Sequence, residues 1–463
     1  MKLIRNRQFY KTVLMLGLPI ALQNLMVQIT TVADTVMLGM VDKEGSLISA
    51  CSLANQPFFL LSLVCFGLAS GSAVLSSQYW GKGDKDAIRV IISMILKVAV
   101  SIAFIFALAA IVFPEAVMGL YSSNPVICAY GADYLRIIGW GYVFFGFGNT
   151  LLCAVRSVEI VRISLVVNVV SFVTNISLNW ILIFGNLGAP ALGIRGAAIA
   201  TLVARIVEFL MAVIYVMAID KRLSFRLRHL FLFRRVLAGD LLRHGAPVLV
   251  NEVMWALSTS VQAAIIGHVT YTAADPVAAN TIAGMVQQLT MVFVLGLGNT
   301  AAVLVGKSIG GGNREEALAR ARTFRLLGVL AGVAVGMLIL LLERPIMGLY
   351  DLEAETMLLA SQLIRTVALI TFFASISTTM IIGVLRGGGD TRFCLIAEMC
   401  SLWLLAMPFA FVSVFFFAWP VPVVLLCMKI DEPTKAVCCL IRMRGNKWLR
   451  SVTRETGEET LLS

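Results

Sequence analysis

The chain has 463 residues, 59% of them hydrophobic and 14% charged, with 37 Lys and Arg against 26 Asp and Glu. Soluble domains carry about 25% charged residues, so at a mean hydropathy of +0.91 a water-soluble fold of this size is excluded. The net charge of +11 lies in alternate loops between apolar runs, which speaks against a basic face for nucleic acid.

About twelve apolar runs of roughly 20–28 residues can each cross a ~30 Å hydrocarbon core as a helix. They are centred near residues 26, 62, 102, 141, 173, 205, 254, 292, 332, 371, 405 and 428, the last interrupted by Asp431, Glu432 and Pro433. The expected fold class is therefore an all-α polytopic membrane protein.

The first run carries Pro19, which lacks an N–H and offers a weak point for bending. It also carries Asp34, the first ionisable residue after Lys11. An aspartate near the middle of a membrane helix costs roughly 2.5–3.5 kcal/mol to insert, so an acid retained there is a functional candidate. Gln23, Thr30, Thr31 and Asp34 fall at helical spacing and are expected to form one polar stripe. Along the fifth run Asn168, Ser171, Asn175 and Asn179 form another, and along the sixth Thr201, Arg205 and Glu208 share a face. Polar sides in hydrocarbon must turn inward, so three helices of the first half are expected to converge on Asp34. The nearby Arg205 and Glu208 read as an ion pair.

Residues 220–240, DKRLSFRLRHLFLFRRVLAGD, read as a basic amphipathic linker helix lying on anionic lipid headgroups. Beyond it the seventh run places Asn251, Glu252, Trp255 and Gln262 on one face, which makes Glu252 and Gln262 a candidate second site for substrate or ion. The tenth run has hydroxyls and no acid. Gly306-Lys307-Ser308 resembles the end of a phosphate loop, but Ala301 stands where such a loop needs Gly and a membrane helix where it needs a strand. The nine cysteines lie mostly in apolar helices and read as small buried residues.

The chain is also written twice. Gly81-Lys-Gly-Asp recurs as Gly310-Gly-Gly-Asn (310 − 81 = 229), and Met118-Gly-Leu-Tyr as Met347-Gly-Leu-Tyr (350 − 121 = 229). Gly17-Leu-Pro19 recurs as Gly245-Ala-Pro247 (247 − 19 = 228), and Leu135-Arg136 as Ile364-Arg365 at 229. Each copy holds about six spans, an even number, so the copies are expected to be parallel repeats about an axis along the membrane normal, a plan used by rocking-bundle transporters. The expected boundaries are an N-lobe over 1–219, a linker over 220–240, a C-lobe over 241–441 and a cytoplasmic tail over 442–463. Lys and Arg cluster in the loops beside the linker and the termini, which places both termini in the cytoplasm.

These features together resemble the multidrug and toxic compound extrusion (MATE) family. The resemblance rests on the Gly-Leu-Pro opening, Val-Ala-Asp-Thr-Val-Met-Leu-Gly around Asp34, the Gly-Lys-Gly-Asp turn at 81–84 and Leu-Arg-Gly-Gly-Gly-Asp-Thr at 385–391. Asn175-Ile-Ser-Leu-Asn179, Gly196-Ala-Ala-Ile-Ala-Thr201 and the closing Arg442…Lys447-Trp448 belong to the same pattern. In the first repeat the counterpart of Arg386-Gly-Gly-Gly-Asp-Thr departs from it, with Glu159 and Val161 at the usual Gly and Thr positions.

The resemblance implies two six-helix lobes around a V-shaped cavity. It also implies export of organic compounds, cationic or amphipathic, in exchange for H⁺ or Na⁺, with no enzymatic activity and no other cofactor. It places the coupling site at Asp34, Asn175, Asn179 and Thr201, with Ala197 adding a carbonyl oxygen, and there Na⁺ could be held. A buried carboxyl also takes up a proton more readily than one in water. The expected partners are small organic substrates and membrane lipids, with no nucleic acid, for a monomer in the plasma membrane. The alternative is a flippase or exporter of lipid-linked or other anionic metabolites, which would need a cationic cavity.

Overall fold

A computed structural model describes residues 3–42, 46–269, 272, 274–348 and 353–454. Its described residues form helices and connecting segments, with no strand among them. Among the described residues eleven helices are long and apolar enough to cross a membrane, and each of the first eleven expected centres falls inside one. In order the helices are α1 (Arg7–Val41), α2 (Ser46–Ala54), α3 (Gln56–Lys82), α4 (Lys85–Val112), α5 (Pro114–Gly119), α6 (Pro125–Ser157), α7 (Arg162–Phe184) and α8 (Ile194–Ile214). The second repeat holds α9 (Arg235–Gly267), α10 (Pro276–Gly310), α11 (Arg314–Met347), α12 (Ala354–Thr378), α13 (Thr391–Met399), α14 (Met407–Phe415), α15 (Val421–Met428) and α16 (Asp431–Arg444). The expected twelfth span is thus two short helices, divided at the acids that interrupt its apolar run.

Helix ends follow local chemistry. Asp84 caps α4 by accepting from the Ala87 N–H, Asn124 caps α6 with Pro125 in its first turn, and Asp275 caps α10. π-helical stretches continue α8 (Tyr215–Ile219) and α12 (Thr379–Leu385) and join α13 to α14 (Cys400–Ala406). The turn after α6 puts Glu159 at φ +65°, while Gly389 takes φ +83° at the matching place of the second repeat (389 − 159 = 230). The departure from the Gly pattern therefore falls on a left-handed residue.

Of the described residues, 22–72 and 84–242 pack as one compact unit and 3–21, 73–83 and 243–454 as another. The first is built around Leu61, Ala99, Ala103, Leu135, Tyr142 and Ala198. The second is built around Ile282, Val294, Leu363, Ile364, Val424 and Met428. Division between the units falls inside α1, just after Pro19, and inside α3 after Ser72. All nine cysteines are free thiols.

The linker departs from the expected amphipathic helix. It reduces to one 3₁₀ turn, Leu227–Phe231, before α9 begins. Side chains of α4 hold its backbone instead: Arg89 Nε donates to Leu223 O at 2.9 Å, and Ser93 Oγ lies 2.8 Å from both Leu230 O and Leu232 O. Lys97 Nζ donates to Leu232 O at 3.0 Å. Leu223 and Phe225 are fully buried. These contacts hold the segment along a mostly non-helical path against α4, which an amphipathic pattern does not foretell.

Candidate functional site

The first unit brings the expected polar residues of α1, α7 and α8 together. Asn179 Nδ2 donates to Asp34 Oδ1 at 2.5 Å and lies 3.1 Å from Asn175 Oδ1, and Asn175 Nδ2 donates to Thr201 Oγ1 at 3.1 Å. One chain of hydrogen bonds thus joins a carboxylate, two amides and a hydroxyl across three helices. Asn175 and Asn179 are buried, Asp34 and Thr201 half-buried. The Oδ1 of Asn179 is buried without a partner. A buried amide oxygen left unpaired costs about 1–3 kcal/mol, and beside a carboxylate it is a ready ligand for a cation. These donors are all hard oxygens, the set that suits a small hard cation. Ala197 is buried one turn before Thr201 on α8.

Small residues make this approach possible. A Cβ on Gly196 would lie 2.6 Å from Leu182 O, so α7 and α8 touch backbone to backbone there. The run Gly196-Ala-Ala-Ile-Ala-Thr201 is the sequence form of that contact.

Each polar stripe divides when placed in the structure. Asn168 Nδ2 donates to Ser164 O at 2.7 Å and Ser171 Oγ to Ala204 O at 3.2 Å, so only the later half of the α7 stripe reaches Asp34. On α1, the hydroxyls of Thr30 and Thr31 donate to Met26 O and Val27 O of their own helix. Hydroxyls satisfied by their own backbone need no partner helix, and the expected α1 stripe does not act as a unit.

Arg205 and Glu208 form the expected ion pair at 2.8 Å, with the guanidinium 5.1 Å from the ring centres of Phe58 and Phe145. Arg205 is also within electrostatic range of Asp34. Sequence reasoning passed over the rest of this wall. Tyr134 is buried and its Oη donates to Asn55 Oδ1 at 3.4 Å, and Asn55 Nδ2 in turn donates to Cys51 O at 3.0 Å. The only advance signal was the position of Tyr134 beside the Leu135-Arg136 landmark.

In the second unit Glu252 is not brought to Gln262. Ten residues along α9 separate them by roughly 15 Å. Arg386 Nη1 instead donates to Glu252 Oε1 at 2.9 Å, while its Nη2 lies 3.4 Å from Glu398 Oε2. Asn251 Nδ2 also donates to Glu398. Close by, Lys435 Nζ contacts Asp431 and Glu432, each at 2.8 Å, and Ser377 donates to Glu432. Acids absent from the tenth span thus arrive from α13 and α16. Trp255 is exposed. Among the described residues no group of three or more His, Cys, Asp or Glu could hold a metal.

Comparison with known proteins identifies the family. The MatE family model matches residues 19–181 and again 247–412, once in each repeat. This chain belongs to the MATE family. It is a transporter family and not an enzyme family. Among curated relatives, a probable multidrug resistance protein NorM of Thermotoga maritima is 26% identical over 453 residues, covering 97% of this chain and 96% of its own. A probable multidrug resistance protein NorM of Bradyrhizobium diazoefficiens is 29% identical, with 88% of this chain and 87% of its own covered. The eukaryotic MATE transporter AtDTX14 superposes with a TM-score of 0.82 over 95% of this chain and 96% of its own at 17% identity. The MATE fold, a multi-pass membrane position and a role in transport follow.

The backbone contact at Gly196 makes a sharp prediction. Gly196→Ala should destabilise the purified protein by about 1–3 kcal/mol, because Leu182 O is backbone and cannot rotate away. Gly239→Ala, where a Cβ meets nothing within 4 Å, should leave thermal unfolding unchanged. Equal melting of the two variants would refute the close packing of α7 on α8.

Proposed function

We propose that this chain is a secondary active antiporter that exports organic compounds, cationic or amphipathic, in exchange for H⁺ or Na⁺ bound at Asp34. The observation that carries the reading is the hydrogen-bonded chain Asp34–Asn179–Asn175–Thr201 with a buried amide oxygen left over. An intramembrane carboxylate in a transporter family is a coupling site by default. The resistance proteins named above give the substrate class its support.

Coupling needs a group whose occupancy changes the packing of a helix. Asp34 neutralised by a proton or a cation makes fewer demands on Asn179 than Asp34 charged. Pro19, close to where α1 passes from one compact unit to the other, supplies a bend with one backbone hydrogen bond already missing. Alternating occupancy of Asp34 can therefore bias two packings of α1.

The charge pattern favours cations over lipid-linked anions as cargo. The three arginines well within spans are each matched by acids: Arg136 by Glu115 and Asp133, Arg205 by Glu208, and Arg365 by Glu343. None is left to serve a phosphate.

In this reading the protein sits in the plasma membrane with both termini and the 220–240 segment in the cytoplasm. A cysteine placed at the exposed Arg228 should resist an impermeant thiol reagent applied to intact cells and react after permeabilisation. Labelling from outside would invert the topology.

Asp34→Asn keeps the shape and hydrogen-bonding capacity of the side chain and removes its charge. The variant should insert at wild-type levels yet lose gradient-driven dye efflux from vesicles. Efflux at the wild-type rate would exclude Asp34 as the coupling group.

A further inference from the structure

The last turns of α3 and α10 cross in contact tight enough to exclude a single methyl group. A Cβ on Gly81 would lie 2.0 Å from Lys307 O, and a Cβ on Gly310 would lie 1.8 Å from Gln78 O. These contacts are images of each other under the internal repeat, since 81 + 229 = 310 and 78 + 229 = 307. When residue i meets j and the copy of j meets the copy of i, the contact lies on the axis relating the copies. Gly306 adds to it, because a Cβ there would meet Ser77 Oγ at 2.2 Å. α3 belongs to the first repeat and α10 to the second. In a transporter built from parallel repeats that rock about a central cavity, this crossing must part whenever the cavity opens at that end.

The chain after α16 is strapped onto the same place, and here the symmetry is broken. Gln78 is fully buried and spends its whole side chain on backbone. Its Nε2 donates to Gly387 O at 3.2 Å and Arg450 O at 3.1 Å, and its Oε1 accepts from the Val452 N–H at 2.8 Å. Two of these three bonds hold the tail and one holds the loop after α12. Tail and loop are locked to each other as well. Arg450 N donates to Gly388 O at 2.9 Å, and Asp390 binds Arg442 at 2.7 Å and Arg450 at 3.4 Å. Trp448 is fully buried against Gly388, where a Cβ would come within 2.6 Å of its ring. Lys82 donates to Arg454 O, and Arg454 N lies 3.4 Å from Tyr79 Oη. The repeat mate of Gln78 is Lys307, so the amide that holds the tail has no amide at the matching position of the second repeat.

We infer that Asn446–Arg454 is a clasp on the α3–α10 crossing, and that Gln78 is the positioning residue that sets how often the crossing opens. Opening exposes backbone groups that Gln78 now satisfies, so each transport cycle must break and remake these three bonds. The inference rests on the export reading for its consequence but not for its test, because opening can be measured without substrate or gradient.

The test is hydrogen–deuterium exchange on the full-length protein in lipid nanodiscs, for wild type, Gln78→Ala and Val452→Pro. The second variant removes a tail donor and leaves both helices untouched. Val452→Pro, which loses one of the three bonds, should speed exchange about fivefold in 446–454 and also in 303–312, and Gln78→Ala, which loses all three, should speed it further in both. In vesicles, a more frequently opened crossing should lower the half-saturating dye concentration by a similar factor, because the competent fraction rises. Faster exchange confined to the tail, or no change in 303–312, would overturn the clasp, whereas faster exchange in both segments with an unchanged half-saturating concentration would uphold the clasp and contradict the export reading.

Discussion

No water reaches the hydrocarbon core, so every polar group placed there must be satisfied by the protein itself. Asp34 is the most demanding case in the first repeat, and much of that unit can be read as its answer. α7 supplies two amides, α8 a hydroxyl, and the small residues around Gly196 let those helices approach closely enough for the groups to meet. The buried pair Arg205–Glu208 and the rings of Phe58 and Phe145 close the same wall. The solution is nearly complete but leaves one amide oxygen of Asn179 without a partner.

The second repeat solves the same problem with opposite charges. Glu252, Glu398, Asp431 and Glu432 are met by Arg386 and Lys435, and the pairing is intramolecular. Breaking a buried pair by removing one partner costs about 3–5 kcal/mol. Two copies of one helical plan have thus diverged into one site built on amides around a carboxylate and one ion-paired site. At the axis between the copies the duplication persists almost unchanged, in the reciprocal contacts of Gly81 and Gly310.

What was legible in the sequence were features written by a single physical rule. Span positions follow from length and hydropathy, the duplication from a constant offset, and the meeting of Asp34, Asn175, Asn179 and Thr201 from inward-facing polarity and family pattern together. What was not legible required distances between remote segments. Nothing in the local pattern says that Asn168 and Ser171 turn to backbone while Asn175 and Asn179 turn to Asp34. Arg386 stands in a glycine-rich loop motif, and its reach to Glu252, 134 positions away, leaves no periodic trace. The linker failed for a related reason. Its basic amphipathic pattern is real, but Arg89, Ser93 and Lys97 on α4 hold its carbonyls along a mostly non-helical path.

The central claim is that Asp34 carries the ion that pays for export. The most direct measurement is ion displacement from purified protein in weakly buffered nanodiscs, using a pH indicator for H⁺ and radioactive Na⁺ for sodium. On addition of a monovalent cationic dye, wild type should release one of the two ions in step with dye binding. Asp34→Asn should bind dye and release neither. Equal release from both proteins, or saturating dye binding to wild type with no ion released, would contradict the account.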